Sequence, residues 1–152
     1  MAEIRTRHLF SLSLKISELQ NLGETPLGDR RVAVVDGGTF EGARLKGSVL
    51  RGGSDWLLGR PDGAFQLDVR LTLKTDDGEL IGMTYRGFRH GPAPVIERLN
   101  RGDAVDASEY YFRTAVFFET SAAKYGWLNR IVAVATGHRP PAGVLYEVFE
   151  VL

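Results

Sequence analysis

Gln66 to Lys74 alternates without a break: Gln66, Leu67, Asp68, Val69, Arg70, Leu71, Thr72, Leu73, Lys74. Successive side chains on a β-strand point to opposite faces. Leu67, Val69, Leu71 and Leu73 therefore share one face of a strand, and Asp68, Arg70, Thr72 and Lys74 share the other. A second stretch behaves similarly and puts Glu109, Tyr111, Arg113, Phe117 and Glu119 on one face. These polar faces are either solvated or turned into a barrel, and the place of any site depends on which.

The rest of the chain is read in the same way. Strands are expected over His8 to Ile16, Arg31 to Val35, Arg44 to Leu50, Asp55 to Leu58, Glu79 to Phe88, Ile131 to Thr136 and Val144 to Val151, with the long ones at Ala64 to Lys74 and Tyr110 to Glu119. Turn chemistry separates them. Gly23 to Asp29 forms a loop around Pro26, Asp36-Gly37-Gly38 and Arg60-Pro61-Asp62-Gly63 read as turns, and Asp76-Asp77-Gly78 is the strongest hairpin signal. Val95 to Asn100 fits one short helix, and Ala122 to Asn129 a turn or a single helical turn. About eight or nine strands with Gly-rich turns define an all-β chain, either a sandwich or a barrel. Long strands and short connections favour a closed antiparallel up-and-down β-barrel with one short helix. A barrel of about eight strands has room inside for packed side chains or one small ligand.

The 152 residues fit a single β-barrel domain spanning 1–152. Nineteen basic and nineteen acidic residues cancel, so there is no basic footprint for nucleic acid and no charge that favours a membrane surface. The chain has no cysteine, which excludes disulfides, thiol nucleophiles and thiolate metal sites. Glu3, Arg5, Arg7 and His8 near the start do not suit a signal peptide, and a cytoplasmic location is the expectation. His8, His90 and His138 are scattered without ligand spacing, so neither a metal nor another cofactor is expected. Gly37-Gly38-Thr39 and Gly42 lack the Lys and the helix of a phosphate loop, and no Gly-x-Ser-x-Gly supports a serine nucleophile.

Candidate site residues follow from the polar faces. Asp68 and Arg70 sit two apart: if the face is buried, Arg70 is a planar donor fork for a carboxylate or enolate and Asp68 orients it. If it is wet, they are a structural ion pair. Glu109, Tyr111 and Arg113 repeat the choice between proton-transfer groups with an anion holder and a surface ladder. Asp55 beside Trp56 after a Gly-Gly bend is a general base at a pocket mouth, or else a turn carboxylate with the indole in the core. Tyr85 is the better inward residue of the return strand, which leaves Arg86 outside. Asn129 either caps a turn or donates to a ligand carbonyl, while Tyr125 and Trp127 plug one barrel end. Catalytic roles thus fall to Asp55, Asp68, Arg70 and Glu109, and substrate contacts to Tyr85, Tyr111, Arg113, Trp56 and Asn129.

Several stretches carry a family resemblance in order: Gly47 to Leu50, Gly53-x-Asp55-Trp56, Arg60-Pro61-Asp62-Gly63, Asp68-x-Arg70, Thr75-Asp76-Asp77-Gly78, Glu109 to Arg113, Phe118-Glu119-Thr120, Tyr125-x-Trp127-Leu128-Asn129 and Tyr146-x-Val148. Together they resemble a bacterial and fungal family known as domain of unknown function 3237, or uncharacterised protein family 0311. The resemblance spans nearly the whole chain. It implies a closed antiparallel barrel of calycin-like appearance and leaves the reaction open. Three readings stand: a cofactor-independent enzyme (isomerase or cyclase, lyase or hydrolase) acting on a carbonyl-containing or aromatic metabolite; a carrier of a small hydrophobic acid; and an interaction protein or homo-oligomer with a filled core.

Overall fold

The computed structural model describes residues 2–152. Eight antiparallel strands close on themselves in sequence order: β1 (Thr6–Thr25), β2 (Gly28–Glu41), β3 (Lys46–Gly59), β4 (Phe65–Thr75), β5 (Leu80–His90), β6 (Tyr111–Glu119), β7 (Ala133–His138) and β8 (Val144–Val151), with β8 pairing back onto β1. One α-helix, α1 (Ala93–Asn100), bridges β5 and β6, and a 3-10 segment, Ala123–Arg130, bridges β6 and β7. No helix among the described residues is long and apolar enough to cross a membrane.

The alternation of β4 resolves in favour of its apolar face. Leu67, Val69, Leu71 and Leu73 are buried inside the barrel, while Asp68 and Arg70 are exposed on its outer wall. Burying four aliphatic side chains is favourable by about 1.5–3 kcal/mol each, and no comparable gain would follow from the polar set facing in. β5 and β6 obey the same rule: Ile81, Met83 and Tyr85 face in, as do Phe112, Val116 and Phe118.

Some expected breaks are absent. Pro26 and Leu27 make a tight turn, so β1 and β2 run almost to it. Gly37 and Gly38 lie within β2, where the register shifts against β3. The segments expected as two strands, 44–50 and 55–58, form the single bent strand β3. Trp56 lies on its outer face at 47% exposure and is not core.

The two barrel ends differ. At the end holding the β2–β3 and β4–β5 turns the interior is filled. Phe10 packs edge-on against Phe40 and Phe118, with ring centroids 5.4 and 6.0 Å apart. Leu128 and Tyr125 of the 3-10 segment are buried over it. At the opposite end β1 pairs with β8 only as far as Leu14–Val144, while its pairing with β2 runs on to Thr25. The β1–β2 hairpin thus extends beyond β8 at this end, where α1 also buries Val95 and Leu99 against the core.

Candidate functional site

A bulge in β3 sets the position of the central acid. Between the Val49–Leu73 and Ser54–Arg70 pairings, β3 advances from 49 to 54 while β4 moves only from 73 to 70. The extra residues bend the strand and keep its in–out parity. Gly52 sits at φ +101°, a region that side chains rarely adopt, and a Cβ on Gly53 would fall 2.8 Å from the Arg70 carbonyl oxygen. The strand resumes with Asp55 facing inward opposite Val69, which in turn faces Tyr85 on β5. Asp55, Val69 and Tyr85 therefore form one row across the inner wall. Arg89 lies four residues beyond Tyr85 on the same face of β5. Tyr146 on β8 closes the group, with its ring 5.1 Å from that of Tyr85 and 5.4 Å from that of Phe112.

These four residues share a cavity of about 310 Å³, walled by aliphatic side chains such as Leu14, Val35 and Leu67 and by Phe65 and Phe112. Arg31, Asn100 and Arg139 also line it. A mostly apolar cavity with a few convergent polar groups has the usual make-up of a small-molecule site. A larger depression, about 660 Å³, lies on the outer wall of β5–β8 around Phe88, Tyr111 and Arg113. Its arginines, Arg86 and Arg113, are exposed, and the buried acid lies in the inner cavity. The inner cavity is therefore the candidate site, despite its smaller volume.

Asp55 is 9% exposed, and burial among apolar groups pushes its carboxyl from the ordinary 3.8 up to about 7. Three effects oppose the rise: the Asp68 backbone N–H donates to Oδ1 at 3.1 Å, and the positive charges of Arg89 and, more weakly, Arg30 act from nearby. Burial likewise pushes the Tyr85 phenol well above its ordinary range and raises that of Tyr146, so both stay protonated at neutral pH. Among the described residues Tyr85 Oη has no hydrogen-bond partner; Tyr146 influences its acidity without meeting bonding geometry. Arg89 is 5% exposed, and burial lowers its guanidinium to about 10, still charged at neutrality.

The expected site residues divide between the two sides of the wall. Asp55 and Tyr85 lie in the cavity. Asp68 and Arg70 do not, because the apolar face of β4 points in; Asp68 contributes only its backbone N–H. Tyr111 and Arg113 face outward, Tyr111 stacked on His90 at 4.8 Å and Arg113 donating to the Phe112 carbonyl at 2.8 Å. Glu109 ends the 3-10 turn Ala107–Glu109 before β6, paired with Arg98 at 2.9 Å. Trp56 is on the outside. Arg89 and Tyr146 were not anticipated.

Asn129 anchors the 3-10 segment by a pair of hydrogen bonds to the Thr120 backbone, its side chain accepting from N at 2.8 Å and donating to O at 2.9 Å. Asn129→Ala should therefore destabilise by about 1–2 kcal/mol and leave cavity ligands unaffected, as paired denaturation and binding titrations would show. Among the described residues no cluster of three His, Asp or Glu could hold a metal.

Fold and cavity together define a small closed barrel that carries a buried acid in an inner pocket. The chain belongs to the family described as protein of unknown function DUF3237, which it matches over residues 4–151. A UPF0311 protein of Rhodopseudomonas palustris is 32% identical over 98% of this chain and 97% of its own. Its crystal structure superposes with a TM-score of 0.93, covering 100% of this chain and 99% of that one. A beta-barrel like protein of Acinetobacter baumannii is 38% identical, with a TM-score of 0.87 over 100% of this chain and 98% of its own. An enzyme of Penicillium herquei shares the fold at a TM-score of 0.76, with 21% identity over 100% of this chain and 97% of its own.

Proposed function

We propose that this barrel binds a small carbonyl-containing or aromatic metabolite in its inner cavity and moves a proton on it without a bound cofactor. The observation that carries this reading is Asp55: a buried carboxyl held near 7, in one inward row with a phenol that has no partner among the described residues. A proton-transfer group works best when its pKa lies close to the operating pH, and displaced carboxyls in clefts mark functional sites. The other buried acid, Glu150, is held by Arg7 and Arg44 at 2.8 and 2.6 Å, which lower its carboxyl pKa. Exposed acids such as Asp77 and Glu109 are paired, with Lys124 and Arg98. Among the described residues, Asp55 alone of the two buried acids has no ion pair.

The chemistry is short. The Asp55 carboxylate takes a proton from carbon next to a carbonyl. The electron pair of the broken C–H bond moves onto the carbonyl oxygen. Tyr85 and Tyr146, kept protonated by burial, donate to that oxygen as it gains charge, and fixed donors act strongly in a site poor in water. Asp55 then returns the proton to a second carbon, which completes an isomerisation, or to a leaving group expelled from the neighbouring carbon as the enolate electrons re-form the carbonyl and make a C=C bond. In the reverse sense, Asp55 takes the proton of an internal hydroxyl as its oxygen adds to the β-carbon of an enone, and gives that proton to the α-carbon, which closes a ring. Isomerisation, elimination and its ring-closing reverse fit this sequence. The Penicillium herquei enzyme supports the idea that such a barrel can host a reaction, without indicating which one.

The test uses enolisable aryl ketones, 3-benzoylpropionate among them, in heavy water. Probes that raise the melting temperature are followed by NMR for exchange at the carbon next to the ketone. Exchange above the buffer rate is expected, with a rate that climbs as pH rises through about 7 and Asp55 ionises. Probes that bind yet exchange only at the buffer rate would leave the cavity as a binding site and refute proton transfer.

A further inference from the structure

The cavity has more positive charge than its own acid can balance. Arg89 is nine-tenths buried, yet among the described residues its guanidinium makes no ion pair and no hydrogen bond, and its Nε is a buried donor without a partner. Burying an unpaired cation is strongly unfavourable, and such groups are as a rule paired. Asp55 does not pair with it, and its carboxyl is about half neutral at pH 7. Arg139, in the connection from β7 to β8, also lines the cavity without a side-chain partner, and its charge repels that of Arg89. Arg31 is bound to Asp29 at 2.9 Å. Two guanidiniums thus face one pocket in which the single acid, Asp55, is only partly ionised and forms an ion pair with neither among the described residues.

We propose that the ligand of this cavity is an organic monocarboxylate, its carboxylate seated on Arg89 and Arg139 and its apolar or aromatic body lying against Phe65 and Phe112. The proposal rests on the reading of the cavity as a small-molecule site and adds the charge of its occupant. The Arg89 guanidinium lies over the rings of Phe65, 5.0 Å from the centroid, and Phe112, at 5.8 Å. That contact holds a planar donor fork in place, the geometry that suits a carboxylate. A single charge fits better than a double one. Asn100, which lines the cavity, is the last residue of α1, and the C-terminal end of a helix is its negative pole.

The experiment measures calorimetric binding of 2-naphthoate, the neutral 2-naphthamide and 2-naphthyl phosphate to the wild type and to Arg89→Met. Methionine keeps the apolar stem and removes the unpaired charge, so the variant should melt no lower than the wild type. Naphthoate is expected to bind in preference to both other probes and to lose roughly 10- to 100-fold in affinity in Arg89→Met. Equal binding of acid and amide, tighter binding of the phosphate, unchanged affinity in Arg89→Met, or no naphthoate binding at millimolar concentration would each overturn it. Asp55→Asn separates this proposal from the catalytic one. It should bind naphthoate at least as well as the wild type while losing proton exchange. Exchange that runs on neutral ketones with no preference for acids would sink the carboxylate and leave the chemistry standing.

Discussion

Asp55→Asn is expected to melt higher than the wild type at about pH 8, by on the order of 5–10 °C, and to match it near pH 4. Asparagine keeps the shape of the side chain and still accepts the Asp68 N–H through its amide oxygen, so what changes is the ability to ionise. In the unfolded chain the carboxyl titrates near 3.8, and in the folded barrel near 7. Between those values the folded protein binds a proton that the unfolded one has released. Stability from this group is fully present below about pH 4 and is lost as pH rises to about 7. The full loss comes to about 4 kcal/mol at most, and less if water enters the cavity beside the carboxylate. The difference between the two melting curves across pH isolates Asp55 from every other titrating group. Exchange of probe protons should fall to the buffer rate in the same variant. A stability gain together with a loss of activity is what a strained functional acid predicts, whereas a structural carboxyl would lose stability on substitution. Parallel melting curves for the two proteins from about pH 4 to about pH 8 would mean that Asp55 ionises normally, and the catalytic reading would fail with it.

The sequence carried the barrel because period-two patterning is local. β4 has four aliphatic residues on one face, and no other arrangement buries them together. The same pattern contained the answer about the site. With Leu67 to Leu73 facing in, Asp68 and Arg70 had to face out, and only the prospect of a polar lumen argued otherwise. Arg89 was equally within reach, as the residue that continues the inward series Ile81, Met83, Tyr85 and Gly87 on β5. A charged residue at the end of such a series reads naturally as the exposed end of a strand, and α1 and the connection after β7 are what enclose it. Tyr146 was hidden for another reason. Its meeting with Tyr85 depends on β8 closing onto β1, and so on the whole circumference rather than on any one hairpin. Asp55 was legible as a residue after a Gly-Gly bend. Its burial depended on a bulge that keeps parity, and strand patterning cannot count extra residues in a bulge.

Tyr85→Phe is expected to slow exchange by roughly 10²–10³-fold, the cost of removing one donor to a developing oxyanion, while melting no lower than the wild type. Most buried tyrosines behave differently, because a bonded hydroxyl contributes to stability and its loss is felt. Here the hydroxyl is buried without a partner among the described residues, a situation that costs the folded state about 1–3 kcal/mol. Removing it leaves the ring, its edge contact with Tyr146 and the packing of the row intact. The folded protein therefore has little use for this oxygen, and a ligand that accepts from it would supply the missing bond. Binding and turnover should separate. A probe whose carboxylate sits on Arg89 keeps most of its affinity in Tyr85→Phe, because the phenol acts mainly on charge that appears as the proton leaves. Measured by NMR exchange and calorimetry on the same samples, a large fall in rate with a small change in affinity would place Tyr85 at the reacting oxygen. A loss of melting temperature with unchanged exchange would instead make Tyr85 a packing residue and leave Tyr146 as the only phenol available to the oxyanion.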